Sequence, residues 1–536
     1  MSGPEKSQST AHFDAVIVGA GFAGMYMLHR LRGLGFRARV FESGTGVGGT
    51  WYWNRYPGAR CDVESMEYSY QFSNDLQQQW EWSERYAAQP EILRYANHVA
   101  DRFDLRRDID FDTPIASAAF DEQFNCWRIT TGTGRAVSAT HCIMATGCLS
   151  SANTPKFEGL ETFRGACYHT GRWPQHDVDF TGLRVGIIGT GSSAVQSIPI
   201  IAQQARHLTV FQRTPNYAVP AHNAPLAPEV QQAVKANYGD LRQRARQMRN
   251  GIAWPVTQKS ALEVTREERR AEYEARWARG GLSFSGSFMD LLLNKEANDT
   301  AAEFVRDKIR AIVHDPATAN LLTPKSVLSC KRLCVDIGYY ETYNRPNVSL
   351  VDISASPIEM IVPEGVVVAG QTTPFDVIIL ATGFDAMTGA LNKIDIRGIG
   401  GVPLREKWAA GPRTYLGLSS AGFPNLFTIT GPGSPSVLTN MLPTIEQHVE
   451  WIADCIAHLR ANQLHRIEAT LPAEDAWVEK VNEIAAGTLF PTCNSWYLGA
   501  NVPGKPRVFM PYIGFPPYVE TCNAVAAGGY TGFALS

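Results

Sequence analysis

The sequence predicts an α/β protein in which two parallel sheets each begin with a strand, a glycine-rich turn and a helix. Apolar runs at Ala15–Val18 and Arg184–Ile188 each lead into such a turn, and a helical pattern follows both. Between residues 221 and 330 the strand pattern gives way to sequence rich in Arg, Glu, Gln and Ala. Backbone amides at a turn of this kind bind the phosphates of a dinucleotide. We therefore expect two Rossmann-like dinucleotide-binding domains with a helical insertion.

The first unit carries the pattern G-x-G-x-x-G at Gly19, Gly21 and Gly24. The next strand, Ala38–Phe41, ends at the acidic residue Glu42. A carboxylate about 20 residues after the glycines suits the ribose hydroxyls of an adenine dinucleotide. The alternative interpretation is a glycine turn with a structural role only.

The second unit has a similar turn and a helix start, formed by Gly189, Gly191, Ser192, Ser193 and Gln196. After the strand Leu208–Phe211 no acid follows, and Arg213 and Thr214 stand there instead. A guanidinium at this place can pair with a 2′-phosphate, so the pattern indicates NADPH rather than NADH. The alternative is an ordinary surface arginine.

Composition excludes several classes of function. The 536 residues carry a formal net charge of −3, which gives no reason to expect nucleic acid or an anionic membrane as partner. The polar first ten residues predict disorder rather than a signal peptide, and no apolar run reaches the ~18 residues of a membrane helix. The ten cysteines include no C-x-x-C pair, so we expect reduced thiols in a cytoplasmic protein and no disulfide reductase. No metal site is predicted.

Between the two glycine signatures lies the stretch F-R-G-A-C-Y-H-T-G-R-W-P. Its key positions are Phe163, Gly165, His169, Trp173 and Pro174. Glycine and proline suit a firm connection between two domains, and a lone histidine is often only a packed core residue. The stretch resembles the fingerprint of type I Baeyer–Villiger monooxygenases. These enzymes use FAD, NADPH and O2 to convert ketones into esters or lactones through a C4a-peroxyflavin.

A second motif, G-G-T-W-Y-W-N-R-Y-P-G-A-R-C-D, ends at Asp62. On composition alone it could be an aromatic-rich structural loop. It also resembles a long motif of the same family. The resemblance implies that Gly49, Thr50, Trp51 and Tyr68 lie along FAD, and that Asp62 sits near the flavin and orients a catalytic arginine.

The resemblance also implies the remaining site residues. Arg332 would stand beside the flavin peroxide, because a fixed positive charge keeps the peroxide anionic and arginine stays protonated in a dry site. Lys331 would point toward the NADP phosphate. Trp496 would close over the nicotinamide cofactor, and Met441 would line the cavity of flavin and substrate.

The resemblance runs from Phe13 to Leu535 and implies a monomer. Its implied boundaries are residues 12–150 and 389–536 for the FAD domain, 151–220 and 331–388 for the NADP domain, and 221–330 for the insertion. The chain departs from the family near Gly514–Pro517, where two adjacent glycines are usual, so the local loop shape is in doubt. The segment Gly280–Gly286 is predicted to be a flexible stretch that borders the substrate entrance.

Two alternatives stay open. One is a flavin-dependent N- or S-oxygenating monooxygenase, whose fingerprint usually lacks the ending seen at Trp173 and Pro174. The other is a non-catalytic flavin-fold binding protein, which would have no need for Arg213, Lys331 and Arg332.

Overall fold

The structure is a computed structural model, which describes residues 11–254 and 256–536. The N-terminal residues 1–10, for which the sequence predicts disorder, lie outside the described residues. Two sheets dominate the described part, and each contains one of the two glycine-rich turns. The predicted α/β class is therefore confirmed.

The first sheet has eight strands and takes them from both halves of the chain. In spatial order they are Asp395–Arg397, Ile115–Asp121, Cys126–Thr131, Ala136–Met144, Ala11–Val18, Ala38–Phe41 and Ile109–Asp110, with Leu426–Thr428 also paired to Ala136–Met144. The strand that precedes the first glycine turn is central, and its Val16 and Ile17 are fully buried. The sequence of such a strand is a continuous apolar run because both of its faces are buried.

The second sheet has five strands, and all of its pairings are parallel. In order they are Val348–Asp352, His207–Gln212, Arg184–Ile188, Val377–Leu380 and Ala166–His169. The fingerprint stretch therefore supplies an edge strand, in which His169 pairs with Leu380. Gly165 is needed here for close approach, because a Cβ on it would lie 2.3 Å from the carbonyl oxygen of Asp376.

Helices cover both sheets and form the insertion. Outside the insertion they are Phe22–Gly33, Thr50–Trp53, Asn74–Gln79, Gln89–Arg102, Ser192–Gln204, Tyr339–Thr342, Gly389–Asn392, Leu404–Lys407, Met441–Ala461, Leu471–Ala486 and Phe515–Ala527. Within the insertion they are Pro228–Ala236, Tyr238–Gln247, Arg266–Arg279, Lys295–Ile312 and Pro316–Leu322. Gly514, with a φ of 108°, directly precedes the last helix of the chain.

The stretch of the insertion that was predicted to be flexible has regular secondary structure. Gly281–Gly286 forms a 3₁₀ helix, and Phe284 within it is fully buried. A Cβ on Gly281 would lie 2.0 Å from the Tyr86 hydroxyl, so this glycine allows close packing. Apolar packing of Phe284 on the rings of Tyr273 and Phe304 within the insertion therefore orders a segment whose composition is typical of a loop.

Smaller strand pairs complete the fold. They are Ala218–Pro220 with Cys334–Asp336, the three strands Ile358–Val362, Gly365–Val368 and Gln371–Pro374, and Ile467–Ala469 with Phe533–Leu535. The first pair places the segment with Lys331 and Arg332 next to the second glycine-rich unit. Among the described residues, no helix is long and apolar enough to cross a membrane.

The prediction that all cysteines are reduced thiols is wrong for two of them. Cys330 and Cys493, which are 163 positions apart in the chain, form a disulfide with 5.9 Å between their Cα atoms. The other eight cysteines are free, and all but Cys167 are buried. The absence of a C-x-x-C pair says nothing about partners that folding brings together from distant segments.

Candidate active site

The first glycine turn can bind a dinucleotide because its glycines have no side chains that would block the approach of the phosphates. Gly19 has a φ of 105°, and a Cβ on it would lie 2.6 Å from the Ala145 carbonyl oxygen. A Cβ on Gly24 would meet the Gly19 carbonyl oxygen at 1.8 Å. The buried Glu42 carboxylate accepts a hydrogen bond of 2.7 Å from the Ala20 backbone amide, which holds it against the turn. These features match a site for pyrophosphate and ribose.

A second loop lies directly on this turn. A Cβ on Gly49 would stand 2.9 Å from the Cα atom of Gly21, so the two backbones approach each other with no side chain between them. Thr50 begins the short helix Thr50–Trp53, in which Trp51 is buried. The Trp51 indole donates a hydrogen bond of 3.0 Å to the Tyr68 hydroxyl. The structure thus brings together the residues that the resemblance places along FAD.

Asp62 and Arg332 form a bidentate ion pair between the two domains. Arg332 Nε donates to Asp62 Oδ2 at 2.8 Å, and Arg332 Nη2 donates to Asp62 Oδ1 at 2.9 Å. Arg332 Nη1 donates to the Val437 carbonyl oxygen at 2.9 Å. Burial opposes the charge of Arg332, but the Asp62 charge and its hydrogen bonds outweigh burial and raise the pKa of Arg332. The site therefore contains a permanent, oriented positive charge.

The loop that carries Asp62 is fixed to the first helix of the second unit. Gln196 Oε1 accepts hydrogen bonds from the Tyr56 hydroxyl and the Arg60 amide, and Gln196 Nε2 donates to the Arg60 carbonyl oxygen. A Cβ on Gly58 would lie 2.3 Å from the Gln196 carbonyl oxygen. Gln196, which was predicted to bind the cofactor, is buried, and its side chain bridges the two units.

Two cations lie close together at the second glycine turn. The charge of Arg213, together with burial as the larger cause, lowers the pKa of Lys331. Neither cation has a hydrogen-bonded or ion-paired partner among residues 11–254 and 256–536. Like charges repel, so such a pair without a counter-ion indicates a site for an anion.

The backbone around these cations is well defined. Gly189 has a φ of 115°, and a Cβ on it would lie 2.4 Å from the Ala381 carbonyl oxygen, which repeats the geometry of the first turn. Gly191 is the N-cap of the helix that Ser192 begins. The Thr214 carbonyl oxygen accepts a hydrogen bond from the Thr190 hydroxyl. Ser193 lies within hydrogen-bond distance of Thr170 in the fingerprint, 3.1 Å between hydroxyl oxygens.

The fingerprint histidine lies behind the site rather than inside it. His169 Nδ1 accepts a hydrogen bond of 2.9 Å from the Gly171 amide, so Nε2 carries the proton and faces the Asn153 carbonyl oxygen at 3.2 Å. Nε2 is also 3.2 Å from the Thr382 hydroxyl. Burial is the main cause that lowers the pKa of His169, which keeps it neutral. His169 thus connects the segment before the edge strand Ala166–His169, at Asn153, with the segment after the strand Val377–Leu380, at Thr382.

The other fingerprint residues are packing residues. Trp173 is buried, with its ring 5.2 Å from that of Tyr168, and Phe163 packs against the apolar cluster on the far side of the second sheet. Pro174 follows Trp173 at the end of the stretch. These residues shape the connection between the units and do not reach Arg332.

An apolar wall closes the site on the side of Arg332. It includes buried and half-buried side chains of one cluster, namely Met387, Val437, Leu438, Met441, Phe490, Trp496 and Tyr497. The Trp496 ring packs against that of Tyr497 with 4.2 Å between centroids. The Trp496 indole nitrogen has no acceptor within the described parts of the chain, which leaves it free for a ligand.

Two residues of this site were not predicted from the sequence. The buried Tyr497 phenol interacts electrostatically with Arg332, and Val437 supplies the carbonyl that takes its third hydrogen bond. Tyr497 could have been found as the neighbour of Trp496. No signal in the sequence indicates the role of the Val437 backbone, since any residue could supply a carbonyl.

Comparison with known proteins gives a consistent result. The family model described as pyridine nucleotide-disulphide oxidoreductase matches residues 16–273. A Baeyer–Villiger monooxygenase of Pseudooceanicola batsensis is 44% identical over 526 residues, which cover 97% of this chain and 96% of that protein. A phenazine N-monooxygenase of Lysobacter antibioticus is 42% identical over 529 residues, which cover 98% and 97%.

The solved structures agree. One described as oxidized steroid monooxygenase bound to NADP is 55% identical, with a TM-score of 0.94 and coverage of 98% of this chain and 99% of that one. The likeness extends over both nucleotide-binding units, the insertion and the C-terminal helices. With relatives this similar over nearly its whole length, the chain belongs to the family of Baeyer–Villiger monooxygenases.

Proposed function

We propose a residue-by-residue arrangement for the reaction of this FAD- and NADPH-dependent monooxygenase. The turn Gly19–Gly24 would hold the pyrophosphate of FAD and Glu42 would bind its ribose, while Trp51, Tyr68 and Met441 would contact its ring system. The glycines of this turn, at which a Cβ atom would collide with neighbouring backbone, support this placement. When bound, FAD takes two electrons from NADPH and activates O2 for transfer to the substrate.

NADPH lies on the second unit in this arrangement. The turn that begins at Gly189 would hold its pyrophosphate, and Arg213 and Lys331 would bind its 2′-phosphate. The support is the unpartnered pair of cations, which a phosphate would neutralise. Trp496, with a free indole donor, covers the cofactor.

The observation that carries the oxygenation proposal is the Asp62–Arg332 pair. Baeyer–Villiger chemistry develops negative charge on oxygen, and a fixed cation in a site screened from water stabilises such charge. Asp62 keeps the guanidinium in one orientation, and the Val437 carbonyl oxygen limits its movement on the other side. Arg332 is therefore the catalytic residue, and Asp62 positions it.

The substrate class is a ketone that fits against the apolar wall at Met441 and Phe490. N-oxygenation is a second candidate, because a relative with 42% identity is named as a phenazine N-monooxygenase. We keep the predictions of a monomer and of a cytoplasmic location. The first rests on the resemblance to the family, and the second on the eight cysteines that are free thiols.

The test uses purified, FAD-loaded protein with NADPH and air. A panel of cyclic, aryl and steroidal ketones, together with a phenazine, is analysed for products by mass spectrometry. We expect esters or lactones from ketones in proportion to NADPH consumed. An N-oxide from the phenazine with no ester from any ketone would contradict the proposal and favour the second candidate.

A further inference from the structure

The C-terminal loop of residues 493–510, which contains Trp496 and Tyr497, is anchored to the second unit. Asn501 Nδ2 donates a hydrogen bond of 2.7 Å to the Phe384 carbonyl oxygen. Lys505 Nζ donates to Asp385 Oδ1 and to the Ala386 carbonyl oxygen, both at 2.6 Å. The Lys505 side chain is only 10% exposed, so the anchor is screened from water. These bonds fix the middle and the second half of the loop.

The near end of the loop is fixed covalently. Cys493 precedes Trp496 by three positions and forms the disulfide with Cys330, which directly precedes Lys331 and Arg332. The disulfide thus joins the segment of the catalytic arginine to the segment that covers the cofactor. These two segments come from distant parts of the chain.

We propose that the Cys330–Cys493 disulfide is a positioning element of the oxygenation site, and that opening it by thiol–disulfide exchange loosens NADP binding without unfolding the protein. The proposal rests on the roles given above to Arg332 and Trp496. With the disulfide closed, the loop cannot move away from Lys331 and Arg332 at its near end. The loop therefore holds Trp496 over the cofactor at a small entropic cost.

The opening reaction needs a thiol reductant, which we name as a dithiol. Cys493 is half-buried, whereas Cys330 is 3% exposed, so the attacking thiolate reaches the sulfur of Cys493. Its attack forms a mixed disulfide and releases the Cys330 thiolate beside the charges of Lys331 and Arg332. The second thiol of the reductant then displaces the Cys493 thiolate and leaves as a cyclic disulfide. Two electrons pass to the protein, and its two thiolates take up two protons.

The loop keeps its other contacts when the disulfide opens. The Met510 amide donates to the Tyr497 carbonyl oxygen at 3.1 Å within the loop, and just before the loop the Leu489 amide donates to the Leu292 carbonyl oxygen at 2.8 Å. The anchor at Lys505 is also unaffected. We therefore expect a local loss of order, which weakens NADP+ binding about tenfold, a size typical of coupling between two sites in one protein. A larger share of the NADPH consumed would then yield hydrogen peroxide instead of ester.

The experiment uses the full-length, FAD-loaded protein. Thiols of the denatured, unreduced protein are counted first, and eight of the ten cysteines should react. The Kd for NADP+ and the hydrogen peroxide released per NADPH are then measured before and after treatment with dithiothreitol. Cys493→Ser and Cys330→Ser should have the Kd and the hydrogen peroxide yield of the reduced wild type, and dithiothreitol should change neither value. Cys167→Ser, which removes an exposed free thiol, should match the wild type in every state.

A rise of about tenfold in the Kd, with flavin absorbance and the melting temperature nearly unchanged, supports the proposal. Ten reactive thiols in the unreduced protein would overturn it, as would an unchanged Kd after confirmed reduction. Equal weakening in Cys167→Ser would also overturn it. Failure of the Arg332 assignment is distinguished separately, because Arg332→Ala would then still form ester.

Discussion

Removal of one or both partners of the Asp62–Arg332 pair is the sharpest test of the catalytic assignment. Arg332→Ala deletes the charge itself, and loss of one stabilising donor for a developing oxyanion costs about 10²–10³ in rate. Asp62→Ala leaves Arg332 with one of the three hydrogen bonds described above. Breaking a fully buried ion pair costs about 3–5 kcal/mol. Because the two side chains are 22% and 25% exposed, we expect less, about 1–3 kcal/mol.

We expect a loss of similar size in the stabilisation of the transition state, because Asp62 then no longer orients Arg332 toward the developing charge. Ester formation by Asp62→Ala should therefore fall roughly 10- to 100-fold, since 1.36 kcal/mol is a factor of ten. The double variant should be no slower than Arg332→Ala, because Asp62 acts only through Arg332. Ester is measured by gas chromatography, and reoxidation of the reduced flavin is followed by rapid-mixing absorbance. NADPH should still reduce the flavin in all three variants.

The matched control is Asp376→Ala, which breaks the bidentate pair with Arg184 in the second sheet. It should lower stability but leave the ratio of ester to NADPH consumed unchanged. If the losses of Asp62→Ala and Arg332→Ala add in the double variant, Asp62 acts independently and the positioning argument fails. Wild-type ester formation by Arg332→Ala would refute the catalytic assignment.

Three further predictions concern other groups. Arg213→Ala should weaken NADPH binding about 10- to 100-fold and leave NADH binding unchanged, as measured by steady-state kinetics with both cofactors; equal losses would contradict the 2′-phosphate site. His169→Ala should retain FAD yet form less ester, because it disturbs the connection between the units, and wild-type turnover would show a purely structural histidine. Burial raises the pKa of Glu446 from 4.5 to about 7, so its stabilising contribution is fully present below pH 4.5 and is lost as the pH rises through about 7. Between these pH values, Glu446 should make the free energy of unfolding decrease by about 1.4 kcal/mol per pH unit, and Glu446→Gln should abolish this decrease. Chemical denaturation at several pH values measures it, and the same pH dependence in both proteins would show that Glu446 is not its cause.

Local patterns predicted the parts of the fold that local interactions determine. The glycines Gly19 and Gly189 are required because each turn has a positive φ and a close carbonyl oxygen behind it. A short apolar strand, a glycine turn and a helix follow one another within about 20 residues, so the sequence contains the whole unit. The helical insertion was predictable for the same reason, because its composition changes over a long continuous stretch.

Contacts between distant segments could not be predicted in this way. The bridge from Gln196 to Arg60, the packing of Gly281 against Tyr86 and the disulfide at Cys330 each join elements far apart in the chain. Each depends on how separate parts of the fold pack together, and the periodicity of a local sequence pattern carries no information about that packing. The Asp62–Arg332 pair spans 270 positions, and it was expected only because the motifs resemble those of a known family.

The position of the Arg332 charge depends on the contact between the two units. Asp62 belongs to a loop of the first unit, but Gly58 and Gln196 attach this loop to the first helix of the second unit. Arg332 lies just before the strand Cys334–Asp336, which is next to the second unit. It donates a hydrogen bond to the Val437 carbonyl oxygen of the first unit. A rotation of one unit against the other would therefore separate Arg332 from at least one of its hydrogen-bond partners. The Arg332 charge keeps all three hydrogen bonds only when both units are docked. In the proposed arrangement, this geometry links oxygenation to the relative position of the two nucleotide sites.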